Sequence, residues 1–293
     1  MSDAPTFDLQ CHSIYSDGAL PPAEVVARAG SAGVELLALS DHDTVEGVDE
    51  ALASGREAGV RVVPAAELSS IDGVYDDLHM LGYGVDHHDA GLLASLDEFR
   101  ADREARAGRM AAALAELGFA VDDDLLAARR AAGKTIGRPH LAQAVISHPA
   151  NAERLRAEGR DDVSPFIEAY LIPGAPGFRP RTMPTVEEAI GVIHDAGGLA
   201  VWAHPFWDLD DPEEVDAAIE RFVGFGVDGV EAFYVTHTRE QTLRAASACA
   251  SRGLLATGSS DFHGPEHRLF SRFRAFELYD CEPNLGPLGY ARS

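Results

Sequence analysis

Seven short apolar runs mark the chain, at residues 7–13, 34–40, 60–68, 78–85, 199–206, 227–234 and 254–260. Runs of this length, rich in Val, Leu and Ala, fit strands buried on both faces. Helical periodicity separates most of them. Residues 21–32 open with Pro21-Pro22 and stop before Gly33, and 187–196 stop before Gly197-Gly198, the start and stop signals of helices. Alternating strands and helices predict a parallel sheet with helices on both faces, that is, an α/β fold. The rhythm breaks between residues 89 and 185. There Leu92, Leu96, Phe99, Met110, Leu114 and Leu117 recur at helical spacing, followed by a Gly- and Pro-rich stretch at 173–184. The pattern predicts a barrel built from residues 1–88 and 186–293, interrupted by a mainly helical insertion at 89–185 that returns by a loop. A length of 293 residues suits one α/β barrel carrying such an insertion.

Charge narrows the partners. The chain carries 48 acidic against 24 basic residues, a formal charge of −24, which repels polyanions and argues against binding duplex nucleic acid through a basic face. No run approaches the ~18 apolar residues of a spanning helix, so no membrane role is expected. The start has no signal-peptide pattern, and Cys11, Cys249 and Cys281 form no paired motif, which fits a reducing cytoplasm. Lys134 is the sole lysine, and its GKT at 133–135 is only half a phosphate loop because position 128 is Ala. A short phosphorylated substrate stays compatible with this chain if the site supplies its own positive charge. Bound metals are the natural source.

The predicted strands end in potential metal ligands. The first leads to His12 with Asp17 beyond it, the second to Asp41, His42 and Asp43, and the third to Glu67. The fourth carries His79, the fifth ends at His204, the sixth holds Glu231 with His237 beyond it, and the seventh reaches Asp261 and His263. In parallel barrels the C-terminal strand ends share one face, so these residues are expected to converge on one cleft. Local alternatives exist for single members. Asp43 can cap the following helix, and the His204-Pro205 pair can simply end a strand. Taken together, mixed imidazole and carboxylate donors suit Zn, Mn or Fe better than Ca or Mg. Two or three such ions would leave the cleft positive after neutralising Asp17, Glu67 and Asp261, able to draw in phosphate and activate water for attack on phosphorus.

The segments DLQCHSIYSDG (8–18), LSDHDT (39–44), PAAELS (64–69), HMLGYG (79–84), AHP (203–205) and SSDFHG (259–264) resemble the polymerase-and-histidinol-phosphatase (PHP) family, nearest its small bacterial nucleotide phosphoesterases. The resemblance spans nearly the whole chain. It implies a distorted seven-stranded TIM-like barrel, (β/α)7, with a helical cap and a site for two or three divalent metals. One ion would take His12, Glu67 and Asp261, a second Glu67, His79 and His204, and a third Asp17, His42 and His263. The opening motif departs from the family's His-x-His, because Gln10 replaces its first histidine. Gln10 would either ligate through its carbonyl or hydrogen-bond near the metal, and the first ion would be held less tightly.

GRPHLAQAV (137–145) also matches the subgroup. Arg138 is the candidate for a second, non-reacting phosphate, since a guanidinium binds phosphate bidentately, with His140 beside it. Arg138 could instead cap its helix, and Arg179 and Arg181 are weaker candidates. His237 and Asp43 are the candidate proton-handling residues. His87, His88, His148 and His267 have no strand-end placement and read as surface or packing residues. The expected activity is phosphomonoester hydrolysis of a nucleoside 3′,5′-bisphosphate, a 5′-nucleotide or a 5′-phosphorylated RNA end by metal-bound hydroxide. The alternatives are a histidinol-phosphate phosphatase and a non-catalytic metal-binding module. The oligomeric state is not legible.

Overall fold

A computed structural model of the chain describes residues 5–73, 75–131 and 134–289. Among them, β1 (Phe7–Asp8), β2 (Leu36–Leu39), β3 (Arg61–Asp72), β4 (Tyr75–Tyr83), β5 (Leu199–Trp202), β6 (Gly229–Tyr234) and β7 (Leu255–Ser259) join in sequence order into one nearly closed barrel. Residues 9–12 continue β1 as the closing seam. Leu9 N donates to Gly258 O at 3.1 Å, His12 N to Phe262 O at 2.8 Å, and Ser40 N to Cys11 O at 2.9 Å.

The all-parallel expectation needs correction. β1–β2–β3 and β5–β6–β7 pair in parallel, but β4 runs antiparallel to both neighbours. The cause is local. β3 turns back into β4 through Gly73, at φ +61°, with no room for the crossover helix that a parallel connection requires. Glu67 and His79 therefore lie inside this hairpin, not at strand ends; Ser69 is paired with His79 and Glu67 with Leu81.

Helices α1 (Pro22–Ser31) and α2 (Val48–Ala58) follow β1 and β2. The stripe Val25, Val26 and Ala29 of α1 is fully buried against Leu37, Leu39 and Phe262. A helix α3 (Ala90–Glu116) opens the interruption, followed by α4 (Asp123–Ala131), α5 (Arg138–Ile146), α6 (Ala152–Glu158) and α7 (Val163–Tyr170). The barrel resumes with α8 (Val186–Asp195), α9 (Pro205–Asp208), α10 (Pro212–Phe225) and α11 (Arg239–Arg252). Thr185 with Glu188 and Thr238 with Gln241 form reciprocal caps that start α8 and α11.

The chain divides into two compact units, residues 1–96 with 184–293, and residues 97–183. The first turns of α3, with Leu92 and Leu96 buried, belong to the barrel unit. Within the second unit Met110, Leu114, Phe119, Leu126, Leu141 and Phe166 form its own core. Its return segment is tied to α3 by Arg106 Nε donating to Arg179 O at 2.7 Å and by Thr182 Oγ1 donating to Asp102 at 2.5 Å.

Candidate active site

Three donor clusters meet at the mouth of the barrel. His12 Nε2 lies 3.0 Å from both Glu67 Oε2 and Asp261 Oδ1. On the other carboxylate oxygen, Glu67 Oε1 is 2.6 Å from His79 Nδ1 and 3.3 Å from His204 Nε2, and those two imidazoles are 3.2 Å apart. Asp17 reaches His42 Nε2 at 3.6 Å and His263 Nε2 at 3.4 Å. Glu67, fully buried, thus stands between the first two clusters, and His42 Nδ1 approaches it at 3.8 Å.

These distances fit cations. Donors ~2.0–2.2 Å from a tetrahedral ion lie ~3.4 Å from one another. His12 Nε2, His42 Nδ1 and Asp261 Oδ1 are buried yet have no aligned hydrogen-bond partner, as expected of donor atoms aimed at a cation. The backbone holds part of this arrangement at a cost. His204 sits at φ +29° and Asp261 at φ +52°, left-handed values that non-glycine residues adopt rarely and that cluster at functional sites.

Electrostatics agree. Burial alone pushes the Glu67 carboxyl up, but the His42 and His79 imidazoles outweigh it and hold the group well below the usual carboxylate range. Asp17 behaves alike, burial being overcome by His42 and His263. Burial lowers His12, while its contacts with Asp261 and Glu67 more than reverse this and raise it well above an ordinary imidazole. Protonated imidazoles such as His12 thus balance the buried carboxylates, a role that bound cations would take over.

The PHP domain of known proteins matches residues 8–122. A 3′,5′-nucleoside bisphosphate phosphatase of Chromobacterium violaceum is 33% identical over 88% of this chain and 87% of its own length. The chain belongs to the PHP family. A 5′-3′ exoribonuclease of Haemophilus influenzae is 31% identical over 88% of this chain and 90% of its own. A crystal structure from Bifidobacterium adolescentis, inferred to be a metal-dependent phosphoesterase, superposes with a TM-score of 0.76 at 29% identity, over 90% of this chain and 89% of that one. This PHP protein is accordingly a hydrolase of phosphoric esters. No helix among its described residues is long and apolar enough to cross a membrane.

Other expected residues of the PHP protein are placed differently. Gln10 donates its amide N–H to Glu67 Oε2 at 2.9 Å, and its carbonyl accepts from Ser259 Oγ at 3.2 Å. The reverse amide orientation would set oxygen against a carboxylate oxygen, so the carbonyl points away from the cluster. Asp43, fully buried at φ +51°, accepts from Ser69 N at 3.0 Å and ties the loop after β2 to β3. His237 is buried with Nδ1 3.2 Å from Ala232 O, and burial brings its pKa down to about 4, so its ring is neutral near pH 7. Arg138, His140 and Arg179 lie in the second unit. His140 Nδ1 accepts from Gly137 N at 3.0 Å, at the start of its own helix, and Arg179 donates to Pro176 O at 3.1 Å. Lys134 is also in that unit, and Gly133 of its GKT lies outside the described residues. On the surface of the barrel unit, His87 Nε2 meets Asp49 at 3.0 Å.

Three supporting residues escaped the sequence pattern. Tyr234 OH donates to Asp261 Oδ2 at 2.8 Å, Asp208 lies 3.4 Å from His204 Nδ1, and Ser259 joins Gln10 to Glu231. Tyr234 and Ser259 are the last residues of β6 and β7, so the strand-end rule that found the histidines applies to them too. Glu231, which accepts from His204 N at 2.9 Å, is driven up to about 8 by burial.

Proposed function

We propose that this protein is a phosphomonoesterase for nucleotide-type substrates: a nucleoside 3′,5′-bisphosphate, a 5′-nucleotide or the 5′-phosphorylated end of a short RNA. The observation that carries the reading is Glu67, whose two oxygens each face a separate cluster of imidazole and carboxylate donors. The activities named for the Chromobacterium and Haemophilus relatives support the substrate class. His12 with Asp261, His79 with His204, and Asp17 with His42 and His263 would hold two or three Mn, Zn or Fe ions. Divalent ions at such a site activate water and neutralise the phosphoryl oxygens.

The chain's own groups fix that geometry. Tyr234 orients Asp261, and Asp208 stands behind His204. Asp41 accepts from Ser13 N at 2.7 Å and from Ser16 Oγ at 2.6 Å, steadying the loop that presents Asp17. Arg138 is the proposed ligand of the non-reacting phosphate, with His140 and Arg179 in reserve; none of the three is needed to hold a metal.

A phosphate-release screen with Mn and Zn tests the reading across bisphosphates, monophosphates, cyclic phosphates, 5′-phosphorylated oligonucleotides and histidinol phosphate. Turnover highest on the nucleotides supports it. Preference for histidinol phosphate, or metal binding without turnover on any ester, overturns it.

A further inference from the structure

An aromatic wall leads out of the cluster and ends at an uncovered indole. Tyr234 lies 5.2 Å from the His204 ring and hydrogen-bonds Asp261. Its ring is 6.1 Å from Phe270, which is also 5.5 Å from His263. Phe270 stacks on His267 at 4.9 Å with the rings 17° apart, and meets Trp207 edge-to-face at 5.6 Å. Phe270 is 7% exposed, whereas Trp207 is 50% exposed. The Trp207 amide donates to His204 O at 2.8 Å, which ties this indole to the same turn as an expected metal ligand. A single half-exposed apolar side chain on a surface is ordinary. Here it is the outer member of a continuous row of rings whose inner members contact His204, Asp261 and His263.

Resting on the nucleotide reading above, we propose that Trp207, backed by Phe270, is the platform on which the nucleobase of the substrate stacks while its phosphate lies at the donor clusters. The chemistry suits that occupant. A base offers a flat π face that stacks offset on an indole, and its attachment to the phosphate through a sugar matches a wall that starts at the phosphate-binding residues. Stacking reads no hydrogen-bonding edge, so the platform accepts purines and pyrimidines alike. It gives no advantage to a phosphate ester without a base.

The test compares the metal-loaded wild type, Trp207→Ala and Trp207→Phe on adenosine 5′-monophosphate and on ribose 5-phosphate, the same ester without its base. Trp207→Ala should raise KM for adenosine 5′-monophosphate about 5- to 100-fold, the range for loss of one base–aromatic stack, and leave kcat nearly unchanged. KM for ribose 5-phosphate should not move, and Trp207→Phe should keep most of the affinity. Both nucleotide and sugar phosphate are also titrated against intrinsic fluorescence. Trp202, fully buried, is the other tryptophan and reports that each variant is folded. Quenching by the nucleotide should be saturable in the wild type, absent in Trp207→Phe, and absent with ribose 5-phosphate. Equal KM changes for both esters, or none for either, overturn the platform. If the wild type hydrolyses neither ester, the phosphatase reading fails by itself. The quenching then decides alone: present and lost in Trp207→Phe it supports the platform, absent in the wild type it overturns it.

Discussion

Gln10 donates its side-chain N–H to Glu67 Oε2 across 2.9 Å, on the same oxygen that His12 approaches at 3.0 Å. The residue standing where the family usually has an imidazole thus acts on the shared carboxylate and draws charge from it. A protonated Glu231 can donate to Ser259, which in turn donates to the Gln10 carbonyl, so the whole chain of contacts is satisfied. Gln10→His would replace this donor with an imidazole able to ligate. The variant should carry more metal per chain, or bind it more tightly, by elemental analysis and titration. Unchanged stoichiometry and affinity would show that position 10 does not govern the first ion.

His204 and Asp261 each supply one donor on opposite oxygens of the Glu67 carboxylate. His204→Ala removes a donor from the Glu67 Oε1 side and Asp261→Ala one from the His12 side. Each should lose bound metal in elemental analysis and abolish phosphate release. Full metal content together with full turnover in both variants would contradict the assignment of these residues.

Tyr234 tests the support behind a ligand. Its hydroxyl donates to Asp261 Oδ2, leaving Oδ1 for the cluster, and both residues are buried. Tyr234→Phe keeps the ring contacts and deletes only the donor. Groups in this position typically contribute 10- to 100-fold in metal affinity or activity, so a loss of about that size is expected in a metal titration. Affinity equal to wild type would mean that Asp261 needs no orientation.

Arg138 is placed by sequence in the first turn of α5. If it binds the non-reacting phosphate, Arg138→Ala should raise KM for a nucleoside 3′,5′-bisphosphate at least tenfold more than KM for a monophosphate, since a charge-assisted pair contributes about 1.5–3 kcal/mol. Equal rises on both substrates would remove the two-phosphate argument.

Much of the donor clustering was legible because the histidines and carboxylates follow the strand pattern. His12, His42, His204, Asp261 and His263 all lie within a few residues of the C-terminal end of a strand, and a barrel gathers such positions without further information. His79 reached the mouth by another route, from the middle of an antiparallel strand. The signal for that reversal is in the chain, since Asp72-Gly73 is a hairpin pair, and the strand–helix alternation alone does not register it. The partners of Gln10 were not legible at all. Its amide is oriented by Ser259, 249 positions away, and by the ionisation of Glu67, which depends on the imidazoles of His12, His42, His79 and His204. The low pKa of His237 was not legible either, because burial decides whether an imidazole carries a proton and spacing along the chain does not.

His237 also gives the fold a defined acid sensitivity. An unfolded imidazole takes up its proton near pH 6.5, whereas burial among Phe206 and Tyr234 delays uptake in the folded protein to about 4. Between those values the unfolded chain binds more protons, so stability falls as pH drops from 6.5 towards 4 and is insensitive to this group above 6.5. The full effect is about 3 kcal/mol at most. His237→Gln keeps a polar side chain of similar reach without a titrating ring. Urea unfolding at pH 7 and pH 5 should show the wild type losing more stability than the variant on acidification, with the gap closing at neutral pH apart from a constant offset. Parallel losses in the two proteins would assign the acid limb to the carboxylates and leave His237 without part in it.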